Sequence, residues 1–350
     1  MIKKKFMFIV KDLYGGGAEK VLINTADLLQ KKGHDVQVYT LRDRIEHELP
    51  SGVQPRNIAC VNKFTQAISN VFVEKIQAKI IEREIGAFAP GVIISCACDK
   101  ITRHLPKNLN IYYWIHGSPL SFTKDAGKSC RKLKLFYEGK NIICVSNGMA
   151  NDVMKTGTNL ESCRVIYNPF DINLIQARAE EQVTLPFSEY FLHVGSFEER
   201  KRHDRLLDAY KLSGIETPLV LMGKGGLENE IRDKIAKLEL SHQVMVMGFQ
   251  KNPFPYIKNA KALILTSDAE GLPTVLIEAL VCHTPIISTN CPSGPSEILV
   301  DELSNYLVDC DDIPDLARAI RDVDQNPPEI TPSYYEKFSS ENTISKFMEL

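Results

Sequence analysis

The sequence predicts an α/β protein built from two doubly wound domains. Its 350 residues leave room for two domains of roughly 100–200 residues each. Short runs rich in Val, Ile and Leu alternate with stretches of helical periodicity. The alternation occurs twice, with a proline-bearing polar stretch between the two series. Near-continuous apolar strands, in place of an in–out alternation, indicate parallel sheets covered on both faces.

In the first half the strands are read at 6–10, 36–40, 92–96, 111–115 and 142–145, with helices at 18–31 and 73–85. In the second half the strands are read at 190–194, 219–222, 244–247, 262–265, 285–288 and 306–308. Helices there are read at 204–211, 227–238, 274–281 and 315–323. Asn168-Pro169, Pro186 and the polar, acidic residues 177–182 mark the boundary. The domains expected are 1–170 and 171–330. Residues 331–350, after Pro327-Pro328, form a terminal helix read at 339–348 that packs back toward the first domain.

Bulk properties narrow the class. No run of ~18 apolar residues is present, which argues against a transmembrane helix. The basic start leads only into the apolar run 6–10, too short for the core of a signal peptide and better read as a first buried strand. Nine scattered cysteines lack disulfide-like or Cys-x-x-Cys spacing, so reduced thiols and a cytoplasmic location are expected. The net charge of −2 hides an asymmetry: residues 1–170 carry +10 and residues 171–350 carry −12. A basic half suits an anionic membrane or an anionic acceptor. Nothing in it resembles a nucleic-acid recognition motif, and nucleic acid is not expected as a partner.

Five stretches could carry chemistry. Tyr14-Gly-Gly-Gly-Ala-Glu-Lys20 follows the first strand and opens the first helix. It suits either an anion at a helix N-terminus or a tight turn, and its consecutive glycines break the dinucleotide fingerprint. Arg200-Lys201-Arg202 follows the first strand of the second half. These cations could clamp a diphosphate or pair with Glu198 and Glu199 on a solvated face. Met222-Gly-Lys-Gly-Gly226 is a glycine turn without the P-loop ending, able to receive a flat base or to be only a turn. His116, after Trp114, lies at a strand's C-terminal end, the edge that lines the crevice of open α/β sheets.

The fifth stretch is Asp268–Leu280. Glu270 falls in a Gly-Pro loop, the amides near Thr274 and Val275 open a helix, and Glu278 follows among apolar neighbours. A carboxylate can accept two hydrogen bonds from a vicinal diol, and a buried one needs a partner. A helix salt bridge is the competing role for Glu278. Asp309-Cys-Asp311 matches the metal-binding D-x-D of some sugar transferases but lies in an acidic run that reads better as a cap for the helix at Asp315. The histidines show no zinc-ligand spacing, so no metal site is expected.

The pattern E-G-L-P-x-V-L-I-E across Glu270–Glu278 resembles glycosyltransferase family 4. The resemblance spans nearly the whole chain. It includes Gly-Gly-Ala-Glu at 16–19, Val145-Ser-Asn147, Val165-Ile-Tyr-Asn-Pro169, the Gly195 loop with Lys201, the Gly223 turn, Gly248-Phe249 and Pro292–Ile298. It implies a GT-B fold, two Rossmann-like domains facing across a cleft. It also implies retaining transfer from a nucleotide diphosphate sugar, UDP by default, to a glycan or lipid-linked acceptor in cell-surface polysaccharide or lipopolysaccharide synthesis.

Carried over by residue, Lys201 contacts the donor diphosphate and Arg200 adds a second cation. Ser196 stands where many members have arginine, which puts the role of Arg200 in question. Glu270 binds hydroxyls of the transferred sugar, and Glu278 holds the ribose. Gly271, Leu272, Pro273, Thr274 and Val275 offer backbone to sugar and phosphate. Gly16 and Gly17 approach the diphosphate, Gly195, Gly223 and Phe249 complete the donor site, and His116 lies near the reacting centre.

No cofactor is expected beyond the nucleotide sugar as co-substrate, since cations could replace a metal. Lys124–Lys140 carries six Lys/Arg and two acids around Leu133, Leu135, Phe136 and Tyr137. It is read as a contact for an anionic membrane, which would make the protein peripheral at the inner face of the plasma membrane; a solvated helix and loop is the equal alternative. The competing functions are a sugar-nucleotide epimerase or phosphorylase of the same fold, and a non-catalytic nucleotide-sugar-binding subunit.

Overall fold

The computed structural model describes residues 2–14, 17–68, 70–117 and 126–350. They form two compact units, one of residues 1–169 with 340–350, the other of residues 170–339.

In the first unit the described residues form a seven-stranded sheet. Its strands are β1 (Lys5–Val10), β2 (Asp35–Thr40), β3 (Arg56–Asn57), β4 (Val92–Cys96), β5 (Ile111–Ile115), β6 (Asn141–Cys144) and β7 (Ser162–Val165). All pair in parallel in the order β3-β2-β1-β4-β5-β6-β7. The second unit holds a six-stranded sheet of β8 (Phe191–Val194), β9 (Leu219–Met222), β10 (Val244–Gly248), β11 (Ala262–Leu265), β12 (Ile286–Thr289) and β13 (Leu307–Val308). Its order is β10-β9-β8-β11-β12-β13, again all parallel. The order reverses between β1 and β4 in one sheet and between β8 and β11 in the other. Ligands of open α/β sheets bind outside the strand ends at such points.

The longer helices are α1 (Gly17–Lys31), α2 (Val71–Phe88), α3 (Ala126–Tyr137), α4 (Asn147–Lys155), α5 (Ile172–Ala179), α6 (His203–Ser213), α7 (Glu228–Lys237), α8 (Thr274–Val281), α9 (Ile313–Gln325) and α10 (Ser340–Met348). Local chemistry sets several of their ends. Asn70 accepts from the amides of Phe72 and Val73 to start α2, and Ser146 accepts from Met149 to start α4. Gly214 closes α6 at φ +66°. In the second unit Phe191, Leu219, Leu221, Ile264 and Ile287 of the sheet pack with Leu206, Leu207, Leu316 and Ile320 of α6 and α9 into one core.

The structure sharpens two expectations and corrects one, the extent of the terminal segment. The boundary falls between Pro169 and Phe170, inside the stretch read as the boundary, and the residues after it are structured. Asp171 caps α5, whose Gln176 donates to the Val281 carbonyl and whose Arg178 lies over the Phe254 ring, 5.5 Å from its centroid. Residues 331–339 do not join the terminal helix. Pro332 starts a 3-10 turn, Tyr335 lies edge-on to His283, and the Phe338 carbonyl accepts from the Phe170 amide, so this stretch stays in the second unit. The acidic run before α9 does cap it, through Asp312, which accepts from the Asp315 amide. Of the D-x-D pair, Asp311 instead pairs with Arg205 at 3.3 Å.

The terminal helix α10 returns to the first unit. Its Phe347 ring lies edge-on to Trp114 at 5.1 Å, and the Met348 carbonyl accepts from the Lys4 ammonium. None of the helices in the described residues is long and apolar enough to cross a membrane.

Candidate active site

The site of the second unit is built from two loops at its switch point. One follows β8 and carries Gly195 and a 3-10 turn, Glu199–Lys201. The other follows β11 and carries Asp268, Glu270 and the Gly-Leu-Pro stretch that leads into α8. Polar residues directly after the buried strand stitch the loops together. The Thr266 hydroxyl donates to the carbonyls of Lys201 and Arg202, at 3.0 and 3.2 Å. The Asp268 amide donates to the Arg200 carbonyl at 2.9 Å. The buried Arg205 donates to the Thr266 carbonyl at 2.9 Å and pairs with Asp268 at 2.8 Å. Arg202 takes φ +51°, a conformation costly for a non-glycine residue, and its guanidinium is held by Asp204 and Asp268.

This framework sets two cations on one buried carboxylate. Lys201 Nζ donates to Glu270 Oε1 at 2.6 Å, and Arg200 Nη1 lies 3.0 Å from Glu270 Oε2. Arg200 also donates to the Ala269 carbonyl at 2.7 Å and to Glu198 at 2.7 Å. Burial alone would push the Glu270 carboxyl up. The charges of Lys201 and Arg200 outweigh it and hold the group below its ordinary value, so it is ionised. Burial works against the charged form of Arg200 as well, but Glu270 and Glu198 raise its pKa. Sequence reading places Arg200, Lys201 and Glu270 in one donor site but does not foresee that they bind one another.

Glycines shape the floor. A Cβ on Gly223 would stand 1.8 Å from the Gly195 carbonyl oxygen, so the turn after β9 lies directly on the loop after β8. The Gly195 amide donates to the Met222 carbonyl across that contact. Gly294, at φ +96°, lies against the acidic loop: a Cβ there would stand 2.7 Å from Pro273 Cδ and 2.9 Å from the Gly271 carbonyl oxygen. The motif around it shows in the sequence, but its role as a support emerges only in three dimensions. Phe249 lies further out, exposed, with the Lys224 ammonium 4.8 Å from its ring centroid.

Helix α8 matches its expected bounds, and its position explains Glu278. Val275, Leu276, Ile277, Ala279, Leu280 and Val281 are buried, while Thr274 and Glu278 share the less buried stripe that spacing of four gives. Its apolar neighbours are buried as read from the sequence, and Glu278 itself is half-buried. The cap residue of α8 is Pro273, and no side chain caps the helix. Its first amides stay open to an anion, next to the buried Gly271 and Leu272.

Two buried histidines lie under the β8 loop. His193 Nδ1 is 2.8 Å from the Ile264 carbonyl, and the ring stands 4.6 Å from His203. Burial keeps both neutral, and the His203 imidazole is lowered to about 4. In the first unit, His116 follows β5 and lies 4.4 Å from the Trp114 ring. Its Nε2 has no protein partner, and burial lowers the imidazole to about 3. Gly17 opens α1 with free space about its Cα, whereas Gly16 lies outside the described residues. Lys124, at the start of the basic segment, lies outside them too. In the described part, Leu133 and Tyr137 are core residues and Phe136 lies under Arg103, so the apolar residues interleaved there do not form one outward face. Among the described residues no three His, Cys, Asp or Glu side chains form a metal-binding group.

Comparison with known proteins matches this architecture half by half. The model described as "Glycosyltransferase Family 4" matches residues 15–174, and that described as "Glycosyl transferases group 1" matches residues 177–342. An N-acetylgalactosamine-N,N'-diacetylbacillosaminyl-diphospho-undecaprenol 4-alpha-N-acetylgalactosaminyltransferase of Campylobacter jejuni is 30% identical, over 88% of this chain and 87% of that protein. A lipopolysaccharide 1,6-galactosyltransferase of Salmonella typhimurium is 29% identical, over 61% of this chain and 59% of its own length. The match to an uncharacterized glycosyltransferase of Methanocaldococcus jannaschii, 28% identical over 57% of this chain, spans 53% of that protein. Among solved structures, the apo lipopolysaccharide outer core galactosyltransferase WaaB superposes with a TM-score of 0.76 at 21% identity, over 99% of this chain and 98% of that one. TarM gives 0.79 at 14% identity over the same shares. The two sheets and these neighbours define the GT-B fold, and the relatedness along the chain makes it a member of glycosyltransferase family 4.

Proposed function

We propose that this glycosyltransferase is a retaining enzyme. In this reading it moves a hexose or N-acetylhexosamine from a UDP-sugar to a glycan or lipid-linked acceptor in lipopolysaccharide or polysaccharide synthesis. The observation that carries the reading is the Lys201–Glu270–Arg200 cluster, built on the buried Glu270, at the β8/β11 switch point. Two cations share one carboxylate there, beside the uncapped start of α8. A diphosphate is the ligand that can draw the cations away. Lys201 and Arg200 turn to the phosphate oxygens, and Glu270 is released to accept from sugar hydroxyls. Thr274 amide and Glu278 face the same stripe, suited to phosphate and ribose respectively. His116, neutral and with an unpartnered Nε2, suits a hydroxyl near the reacting carbon.

In the reaction the acceptor oxygen bonds to the anomeric carbon while the bond from that carbon to the diphosphate breaks. The acceptor proton passes to the departing phosphate oxygen on the same face. Charge grows on the leaving group, and fixed cations aimed at it lower the barrier. Lys201 and Arg200 supply those cations, so the reading includes activity without a divalent metal. Support for the donor and acceptor classes comes from relatives: one acts on a diphospho-undecaprenol-linked sugar and another on lipopolysaccharide, and a neighbouring structure, HepE of Anabaena, holds UDP.

The test is a panel of nucleotide sugars with released nucleoside diphosphate as the readout, followed by NMR of the product's anomeric centre. Release from a UDP-sugar with the donor's configuration kept is the expected result. An inverted product overturns the retaining mechanism. Neither release nor thermal stabilisation with any nucleotide overturns the donor reading.

A further inference from the structure

We propose that Cys144 and Cys163 form a reversible oxidation site, a thiol pair of the first unit that a hydroperoxide closes to a disulfide. The two lie 19 positions apart in the chain and on neighbouring strands of the sheet. Ile142 of β6 is in register with Cys163 of β7, and Cys144 with Val165. Alternate residues of a strand share a face, so both thiols lie on the same side of the sheet, one step apart on the diagonal. Their sulfurs are 3.9 Å from each other, within thiol hydrogen-bond reach. A disulfide brings them to about 2 Å. Strand β7 is at the edge of the sheet, with a neighbour on one side only, so it can give the remaining distance.

The two thiols are not equivalent. Cys144 is buried, whereas Cys163 is half-buried. The hydrogen bond from Cys144 lowers the pKa of the Cys163 thiol, against the effect of burial. The same bond, together with burial, raises that of Cys144. Thiolate character with access to solvent is what selects a cysteine for oxidation, and Cys163 has both. Elsewhere burial pushes the thiols of Cys98, Cys282 and Cys291 up to about 12 and that of Cys60 up to about 11. It also raises the half-buried Cys310.

The oxidant is a hydroperoxide, hydrogen peroxide in the simplest case. The Cys163 thiolate attacks one peroxide oxygen, the O–O bond breaks, and the leaving hydroxide takes up a proton to become water. Cys163 is then a sulfenic acid. The Cys144 thiol attacks that sulfur, its proton leaves with the sulfenic hydroxyl as a second water, and the S–S bond forms. Each sulfur gives up one electron, and each peroxide oxygen takes up one. Capture by Cys144 keeps Cys163 from the irreversible sulfinic acid, and a thiol reductant reopens the pair. Nothing in this chemistry needs the donor reading to hold.

The experiment treats the full chain, freed of reductant, with hydrogen peroxide, blocks the remaining thiols with iodoacetamide and cuts with trypsin for mass spectrometry. Cys144 and Cys163 fall on separate peptides, residues 141–155 and 156–164. The expected product is these two peptides joined, lighter than their sum by two hydrogens. Its yield is expected to hold when the protein is diluted and to vanish with dithiothreitol. Cys144→Ala leaves the sulfenic acid uncaptured, so labelling of Cys163 by dimedone is expected to rise about tenfold over the wild type. The wild-type arm decides the matter even where that variant folds poorly. Recovery of both cysteines fully alkylated after peroxide overturns the proposal. So does a link that forms only between two copies of the chain, or oxidation of Cys310 ahead of Cys163.

Discussion

Lys201 finds its carboxylate 69 positions further along the chain, and much of the candidate chemistry rests on that one contact. Replacing Lys201 with alanine removes a cation from the leaving group and leaves buried Glu270 with Arg200 alone. Turnover is expected to fall on the order of 10²-fold or more, the usual effect of deleting one transition-state contact. Wild-type turnover in that variant would dismiss the assignment. Beneath the cluster, His203 makes a second prediction at this scale. Its imidazole is lowered from 6.5 to about 4 by burial, so the unfolded chain binds a proton in that window and the folded chain does not. The stability it contributes is therefore complete above pH 6.5 and lost as pH falls toward 4, with a slope of about 1.4 kcal/mol per pH unit. Urea unfolding of His203→Leu across that range should show a slope shallower by about that amount. Parallel curves for the two proteins would disprove the account.

At the scale of elements, glycine contacts decide what the loops can do. Gly294 supports the Gly271–Pro273 stretch from below, at a backbone angle that favours glycine. Gly294→Ala is expected to push that stretch away and to lower donor affinity more than it lowers stability, read by titrating nucleotide against the variant. At Gly223 the contact is backbone on backbone. Alanine there should cost about 3 kcal/mol or more, the range reserved for severe packing faults, as measured by denaturant unfolding.

How far the sequence reveals each element follows from the same physics. Helix α8 matches its expected bounds because a dense apolar run directly follows a proline. The strands of both sheets other than β3 and β7 are legible within a residue or so because their runs are largely apolar. Helix α5 is hidden by the proline before it and the acidic residues after it; only its contacts with Val281 and Phe254 show it as part of the second unit. Strand β7, Ser-Cys-Arg-Val, has too little apolar content to stand out, and two-residue β3 is too short. In the site, residue types, their order and the local Arg200–Glu198 pair were readable, but the distant partners of the charges were not. Ion pairs across many positions depend on which strands are neighbours, and that order is a property of the folded sheet.

For the whole molecule, ligand linkage gives the simplest check. A nucleoside diphosphate that binds the folded chain at a hundred times its dissociation constant should stabilise it by about 2.7 kcal/mol. A thermal-shift series with UDP, repeated in EDTA, should give the same rise. A rise that depends on added Mg²⁺ or Mn²⁺ would refute metal independence. The return of α10 has a different consequence, for synthesis. The first unit is made of residues 1–169 and 340–350, while the second is one continuous segment between them whose two ends meet where the Phe170 amide donates to Phe338. The ribosome therefore releases every residue of the second unit before it releases the helix that covers Trp114. Domains generally mature from the N-terminus during translation. Here the order is reversed: the later-encoded unit can close first, and the earlier one waits, with an aromatic face uncovered, for residues 340–350.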